Sequence, residues 1–201
     1  MNAVPELSVP RLAPTDRLVG LEPVFLRDAA TGGAPHLTTA LRIGLRGGVL
    51  CVRFDGRDGG VVATHTERDA PLWQEDVYEI FLSAEDPPRR YYEFEVNPLG
   101  TLFDARVDSP NLARAGMRVS TEWDCPGFSA RVTARPGRWS AALRIPLDAL
   151  GGGRPAERWR ANFYRIDRGT PDEFSAWSPT FCDPPDFHVP NRFGFLKICD
   201  L

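Results

Sequence analysis

The segment LWQEDVYEIFLS carries a tryptophan, Trp73, six positions before a glutamate, Glu79, that interrupts an otherwise apolar run. Because side chains alternate between the two faces of a β-strand, Glu79 leaves the face that carries Tyr78 and Ile80. An indole beside a carboxylate suits a sugar, since a pyranose stacks its C–H face on the ring while its hydroxyls need hydrogen-bond partners at the edge. The pairing is also common on surfaces without a ligand, so it predicts sugar contact only together with further residues.

The next segment, YYEFEVN, repeats the alternation, with apolar residues on one face and Glu93, Glu95 and Asn97 on the other. If the two segments pair through the turn at residues 85–88, their apolar faces join the core and Glu79 joins these polar residues on the opposite face. We therefore predict that Glu79 and Asn97 hold sugar hydroxyls. Glu95 is a further candidate for this contact.

A second tryptophan, Trp177 in DEFSAWSPT, follows the strand-like segment ANFYRI and precedes a proline, which predicts a loop position. Two loop tryptophans, Trp73 and Trp177, could clamp one sugar ring between them. By contrast, Trp139 and Trp159 stand at or inside strand-like segments and are predicted to lie in the core. Trp123, between two acidic residues, fits either environment.

Glycine and proline divide the chain into the short segments that must position these residues. The 19 prolines and 18 glycines bound apolar runs with turn residues, and long helical periodicity is absent. Gly47–Gly48 is a two-residue hairpin signal, and IPLDALGGG predicts one short helical turn. We predict an all-β, antiparallel, immunoglobulin-like β-sandwich, with strands near residues 39–46, 49–55, 77–82, 91–97, 101–105, 117–122, 128–135, 138–145, 159–166 and 193–198.

Length and composition bound the classes of partner. The 201 residues contain no evident linker, which predicts one sandwich domain over residues 17–201 with residues 1–16 draped over its surface. No apolar run approaches the roughly 20 residues of a membrane span, so no membrane partner is expected. A net charge of −3, with arginines spread along the chain, argues against a nucleic-acid partner. The N-terminus lacks the pattern of a secretory signal, which predicts a cytoplasmic protein, or a secreted one if the start is truncated.

The cysteines do not form a metal-binding pattern. There is no CxxC pair and no histidine at zinc-ligand spacing, so a zinc site is not expected. We predict four free thiols, at Cys51, Cys125, Cys182 and Cys199.

A series of segments, taken in order, resembles one known family. LWQEDVYEIFLS, YYEFEVNPLG, WSAALRIPLDALG, RANFYRI, AWSP and FHVPNRFGFLKI resemble the carbohydrate-binding module family 9 domains, relatives of the DOMON-like sandwiches. The likeness runs from about residue 38 to the C-terminus, and the ordered series makes it specific. The resemblance implies a β-sandwich that grips a sugar, often at the end of an oligo- or polysaccharide, between two tryptophans.

The resemblance also assigns residues to that site. Trp73 and Trp177 match the two stacking tryptophans, Glu79 matches a carboxylate that accepts sugar hydroxyls, and Asn97 matches a polar residue on the adjacent strand. Sugar-binding members tend to carry a basic residue on that adjacent strand, where this chain has glutamates. A sandwich that has lost sugar binding and serves as a protein-interaction module is therefore the alternative.

Other chemistries are expected less. Acids that alternate along a strand are usually a hydrated face, and no Ser-His-Asp grouping is evident, so we expect no enzyme. Haem is not expected, because His188 fits the family pattern as a structural histidine. Structural calcium stays open, with Asp104, Asp108 and Asp183 as loop acids that could supply oxygen ligands.

Overall fold

The structure, a computed structural model that describes residues 3–151 and 157–199, consists of two β-sheets packed face to face. Four short 3₁₀ turns occur in the described residues, at Leu18–Gly20, Leu72–Gln74, Leu147–Leu150 and Pro190–Arg192. The strands in chain order are β1 (Glu6–Val9), β2 (Val24–Phe25), β3 (Arg27–Asp28), β4 (Thr39–Arg46), β5 (Val49–Arg57), β6 (Val77–Ser83), β7 (Arg90–Val96), β8 (Leu102–Asp108), β9 (Arg118–Ser120), β10 (Ser129–Arg135), β11 (Arg138–Pro146), β12 (Arg158–Asp167), β13 (Glu173–Ala176) and β14 (Gly194–Ile198).

The larger sheet runs in the order β1-β14-β12-β6-β7-β8-β9, with β13 beside β12 and β3 beside β13. The smaller sheet runs in the order β10-β11-β5-β4-β2. Every pairing between these strands is antiparallel except that of β1 with β14. The predicted all-β antiparallel sandwich is confirmed.

The inner faces of the two sheets enclose the main core. Tyr78 of the larger sheet stacks on Trp139 of the smaller one, with ring centroids 3.8 Å apart, and on Phe54 at 4.5 Å. Trp139 and Trp159 are 1% and 2% exposed, which confirms that both are core residues. Burying such rings is the main source of favourable free energy in a fold of this kind.

A second apolar cluster lies on the outer face of the larger sheet. It includes Phe81, Tyr91, Tyr164 and Phe193, which are all fully buried. The chain after β13 crosses this face, and its Phe187 stacks on Tyr164 with centroids 4.2 Å apart. The central strands of the larger sheet are therefore covered on both faces, which fixes the surroundings of their outward polar residues.

The ten predicted strands are all present, and the predicted helical turn forms at Leu147–Leu150. Two of the glycines predicted to end that turn, Gly152 and Gly153, lie outside the described residues. The short strands β1, β2, β3 and β13 were not predicted. No helix in the described part of the chain is long and apolar enough to cross a lipid bilayer.

The N-terminal segment differs from the expectation of a draped surface segment over residues 1–16. Glu6–Val9 forms β1, which pairs in parallel with β14 at the edge of the larger sheet. Val9 is fully buried in the main core. A four-residue strand between prolines carries almost no periodic signal, so its pairing depends on the edge that β14 offers.

Candidate functional site

Three glutamates meet on the outer face of the larger sheet. The predicted pairing of β6 with β7 sets Glu79 directly opposite Glu95, and Glu93, two residues before Glu95, is its diagonal neighbour on the same face. Each of the three offers a carboxyl oxygen within 4.8 Å of the others. Glu79, Glu93 and Glu95 are 2%, 5% and 0% exposed, so the alternation places three carboxyl groups together inside the protein rather than on a hydrated face.

Burial changes the protonation of this cluster. Burial and the neighbouring glutamates raise the pKa of Glu95 well above its ordinary value, and burial and Glu93 do the same for Glu79. Burial raises the pKa of Glu93 to about 7. Within the described residues, the carboxyl oxygens of Glu95 have no hydrogen-bond partner outside the cluster. Burial and mutual repulsion therefore favour the protonated form of these carboxyl groups, and a protonated carboxyl can donate a hydrogen bond as well as accept one.

A cavity of about 520 Å³ lies above Glu79 and Glu93. Trp73, which comes from the turn before β6, forms one wall and is 42% exposed. Its ring packs edge-on against Phe103, with centroids 5.4 Å apart and planes 78° apart. This contact holds the indole in a fixed orientation while part of its surface stays open to a ligand.

A second wall of the cavity is also aromatic. Phe174 of β13 and Phe187 both line the cavity, with ring centroids 6.2 Å apart. The guanidinium of Arg168 lies 5.3 Å from the centroid of the Phe174 ring and donates a hydrogen bond of 2.6 Å to the backbone oxygen of Trp73. Arg168 thus connects the two walls and brings a positive charge to the cavity.

The rim adds polar groups on the side of β7. His188 is hydrogen-bonded through Nδ1 to the Tyr91 hydroxyl at 2.7 Å, and its Nε2 lies 3.9 Å from Glu93 Oε1. Burial, with a contribution from Arg114, lowers the pKa of His188 to about 4, so the ring is neutral at pH 7. Arg114 itself is held by two hydrogen bonds to the carboxylate of Asp186.

The structure corrects the expectation for Trp177. Trp177 is 7% exposed and lies in the main core, edge-on to Phe163 with centroids 5.6 Å apart. Its backbone N–H donates to the Phe163 oxygen at 2.8 Å, so the strand-like path continues past Ala176 and alternation turns the indole inward, against Gly194. Trp177 and Trp73 lie on opposite faces of the larger sheet, and the predicted clamp of two tryptophans is wrong for this chain.

The structure also corrects the expectation for Asn97. Its Nδ2 donates to the His65 oxygen at 2.8 Å, and its Oδ1 accepts from Leu99 N and Thr101 N at 3.0 and 2.9 Å. The side chain is fully buried and holds the turn between β7 and β8. Of the predicted sugar contacts, Trp73 and Glu79 line the cavity, whereas the candidate Glu95 lies beneath it.

Sequence reasoning missed the second wall and the cations. Phe174 and Phe187 carry no strand periodicity, but Phe187 sits in PPDFHVP, where an aromatic pair within a proline-rich loop is a usable signal. Arg168 follows β12 and Arg114 lies in the connection between β8 and β9, so the cavity has positive charge although the inner part of β7 carries glutamates. These residues are far apart in the sequence, so their meeting at one cavity could not be predicted from it.

The three acids considered for calcium do not meet. Asp104 lies beside Asp69 and Asp124, where the Arg68 guanidinium pairs with all three carboxylates. Asp108 pairs instead with Arg90 at 2.8 Å, and Asp183 belongs to neither group. The positive charge that this acidic cluster needs is already supplied by an arginine, and calcium binding at these acids stays an untested prediction.

A two-sheet sandwich with an aromatic, polar-floored cavity on the outer face of one sheet defines the chain as a β-sandwich module. Residues 34–198 match the profile of carbohydrate-binding family 9. The chain belongs to this family, as the ordered segments predicted.

Three proteins illustrate the similarity. An extracellular protein of Arthroderma benhamiae is 25% identical over 174 residues, which cover 79% of this chain and 78% of the relative. A crystal structure of a candidate carbohydrate-binding protein from Bacteroides uniformis matches with a TM-score of 0.76 and 20% identity, covering 96% of this chain and 99% of that one. A family 9 module of Caldicellulosiruptor kristjanssonii, in complex with cellotriose, matches with a TM-score of 0.64 and 14% identity, covering 96% and 93%.

Proposed function

We propose that the cavity between Trp73 and Phe174 binds a carbohydrate without acting on it. The observation that carries this proposal is the half-open indole of Trp73 in the same cavity as the buried carboxyl of Glu79. Family membership and the cellotriose complex of a similar module support the ligand class. A volume of about 520 Å³ lies in the usual range of small-ligand sites, roughly 300–1,000 Å³.

Each group has a proposed role in holding the sugar. The exposed face of Trp73 stacks on the C–H face of one ring, and Phe174 limits the cavity on the other side. Glu79, on the floor, donates a hydrogen bond to a sugar hydroxyl or accepts one from it, because burial and Glu93 raise its pKa and favour its protonated form. Arg168 donates from the rim. Specificity then depends on which hydroxyls reach the floor.

The placement of the carboxyl groups favours binding over hydrolysis. Glycosidases use two carboxyl groups on opposite sides of the scissile bond, about 5–9.5 Å apart. Here Glu79 and Glu93 have oxygens within 4.8 Å of each other and both rise from the same floor, so a ligand in the cavity meets them from one side. We therefore propose a non-catalytic role.

One observation favours the alternative, a protein-interaction module. The second wall is phenylalanine rather than tryptophan, and an apolar side chain of a partner protein would fill such a cavity as well as a sugar. In that case the aromatic walls would be anchors for a protein ligand, and simple sugars would not bind.

The test is isothermal titration with glucose, cellobiose and cellotriose, with tryptophan fluorescence as a second readout. Trp73→Ala should weaken binding by about tenfold or more, the equivalent of one lost stacking contact. The control is Phe181→Ala, which removes a 43%-exposed aromatic ring outside the cavity and should leave the Kd unchanged. Equal affinity of the two variants, or no binding to any neutral sugar, would contradict the proposal.

A further inference from the structure

The outer face of the smaller sheet carries a dense group of arginines. Along β4, β5, β10 and β11 each of them alternates with a residue that points into the core, so all their side chains leave the same face. The strand registers align Arg131, Arg53 and Arg42 in one row across the sheet, and Arg135, Arg138 and Arg57 in another. We call the following eight residues the arginine face: Arg42, Arg46, Arg53, Arg57, Arg131, Arg135, Arg138 and Arg144.

This face is positive although the chain as a whole is not. Asp55 is the one acidic residue on the same four strands, against eight arginines, whereas the whole chain has a net charge of −3. The positive charge is therefore segregated onto one layer of the sandwich. Such a separation creates a local potential that the net charge conceals.

Most of these guanidiniums have no internal partner. Asp55 pairs with Arg42 and Arg53, and Arg46 donates to the backbone oxygen of Asp16. The other five are exposed and make no hydrogen bond or ion pair with any residue that the structure describes: Arg57, Arg131, Arg135, Arg138 and Arg144. Exposed guanidiniums without an internal partner keep their N–H donors available for an external anion.

The shape of the face fits an extended ligand. Two shallow depressions of about 470 and 650 Å³ lie on it, floored by small residues such as Ala40, Ser140 and Ala142. From the row of Arg57 to that of Arg46 the face extends roughly 26 Å along the strands, and its four strands span roughly 14 Å. It is a broad, low trough rather than a pocket for one small molecule.

We propose that the arginine face binds a linear anionic polysaccharide. Planar guanidiniums pair in bidentate fashion with carboxylate and sulfate groups, and the hydroxyls of Thr133 and Ser140 add hydrogen-bond partners for sugar oxygens. Nucleic acid is favoured less, because a single exposed aromatic ring among the described residues, Phe25 at the sheet edge, lines the depression with the arginines, whereas single-strand binders stack successive bases on several rings. This surface lies on the opposite layer from the Trp73 cavity, so it does not depend on the function proposed for that cavity.

The experiment compares two variants of equal net charge. Arg131→Gln/Arg138→Gln removes two unpaired arginines from the face. The control Arg89→Gln/Arg118→Gln removes two exposed arginines that belong to the larger sheet or its connections. Binding to polygalacturonate and to dextran sulfate is measured by affinity electrophoresis and calorimetry, with neutral dextran as the uncharged probe. Thermal melts check that all proteins stay folded.

The expected result is about tenfold weaker binding of the face variant to one or both anionic probes, with the control within about twofold of the original protein. The slope of log Kd against the logarithm of the salt concentration should fall by about two in the face variant, because two fewer charges are neutralised on binding. Equal losses in both variants, or no binding to either anionic probe, would overturn the proposal. Tighter binding to a DNA duplex than to polygalacturonate would overturn it in favour of a nucleic-acid ligand.

Discussion

The carboxyl cluster predicts an unusual response of stability to pH, and Glu95→Gln isolates it. Glu95 is fully buried, and its pKa in the folded protein is well above the ordinary 4.5. Above pH 4.5 the folded state therefore keeps a proton that the unfolded state has released. The stability that depends on this proton is fully present below the ordinary pKa and is lost as the pH rises. Glutamine has nearly the same shape and does not titrate, so the variant escapes this loss.

The size of the effect follows from the linkage relation. Over the pH range in which the folded state holds a proton that the unfolded state has released, each pH unit changes the free energy of unfolding by about 1.4 kcal/mol per proton. The stability of Glu95→Gln relative to the original protein should therefore rise as the pH increases above 4.5, by up to about 1.4 kcal/mol for each pH unit. At roughly 2–4 °C per kcal/mol for a chain of this size, the difference in Tm should grow by up to about 3–6 °C for each pH unit.

The assay is thermal and urea unfolding of both proteins at half-unit steps between pH 5 and pH 8. Comparing the variant with the original protein at each pH cancels the contribution of His188 to stability. The lowered pKa of His188 makes stability rise with pH between about 4 and 6.5, which is opposite in sign to the effect of Glu95. The matched control is Glu122→Gln, an exposed glutamate outside the cluster, which should give a constant small difference. A difference for Glu95→Gln that stays flat or shrinks with rising pH would refute the reasoning.

Two further predictions concern residues that the structure removed from the sugar site. Trp177→Ala should lower the free energy of unfolding by about 3–5 kcal/mol in urea titrations, because it leaves a cavity in the main core; a stable variant that only loses sugar binding would contradict the core position. Asn97→Ala should lower stability by about 1–3 kcal/mol, since backbone groups of the turn lose their partners, while the Kd for sugar stays unchanged in calorimetry. A loss of affinity without a loss of stability would place Asn97 back at the ligand.

Strand periodicity was the most reliable part of the sequence information. The alternation in VYEIFL and YYEFEVN predicted both strands, their pairing through the turn, and the common face of Glu79 and Glu95. These features depend on local geometry with a period of two residues, which a single sequence reveals directly. The same reasoning could not show that this face is covered, because the cover comes from residues about 100 positions further along the chain.

Side-chain direction at the ends of strands was the main source of error. Trp177 was placed in a loop because proline follows it closely, yet one more backbone hydrogen bond extends the strand and reverses the direction of the ring. Asn97 has the residue type of a ligand contact, but its Oδ1 accepts from two backbone N–H groups of the following turn and its Nδ2 donates to the His65 oxygen. In both cases hydrogen bonds made in the folded chain decide the role of the side chain, and residue type alone does not reveal them.

The arginines show the same lesson for charge. Spread along the chain, they gave no sign of a basic surface, and only the pairing of four strands brings eight of them together. A spacing of four residues within one strand, as in Arg131 and Arg135 or Arg53 and Arg57, shows that these arginines share a face of that strand, but the register that aligns the strands is not visible in the sequence.

The back-to-back arrangement of the two sheets has a mechanical consequence. The aromatic cavity opens on the outer side of one layer and the arginine face on the outer side of the other, so ligands held at the two places point away from each other. A molecule bound to an acidic polysaccharide through its arginine face would expose the Trp73 cavity on its opposite side. If both proposed ligands bind, the protein mixed with a neutral and an acidic glycan together should act as a bifunctional cross-linker and make the mixture more viscous than with either glycan alone.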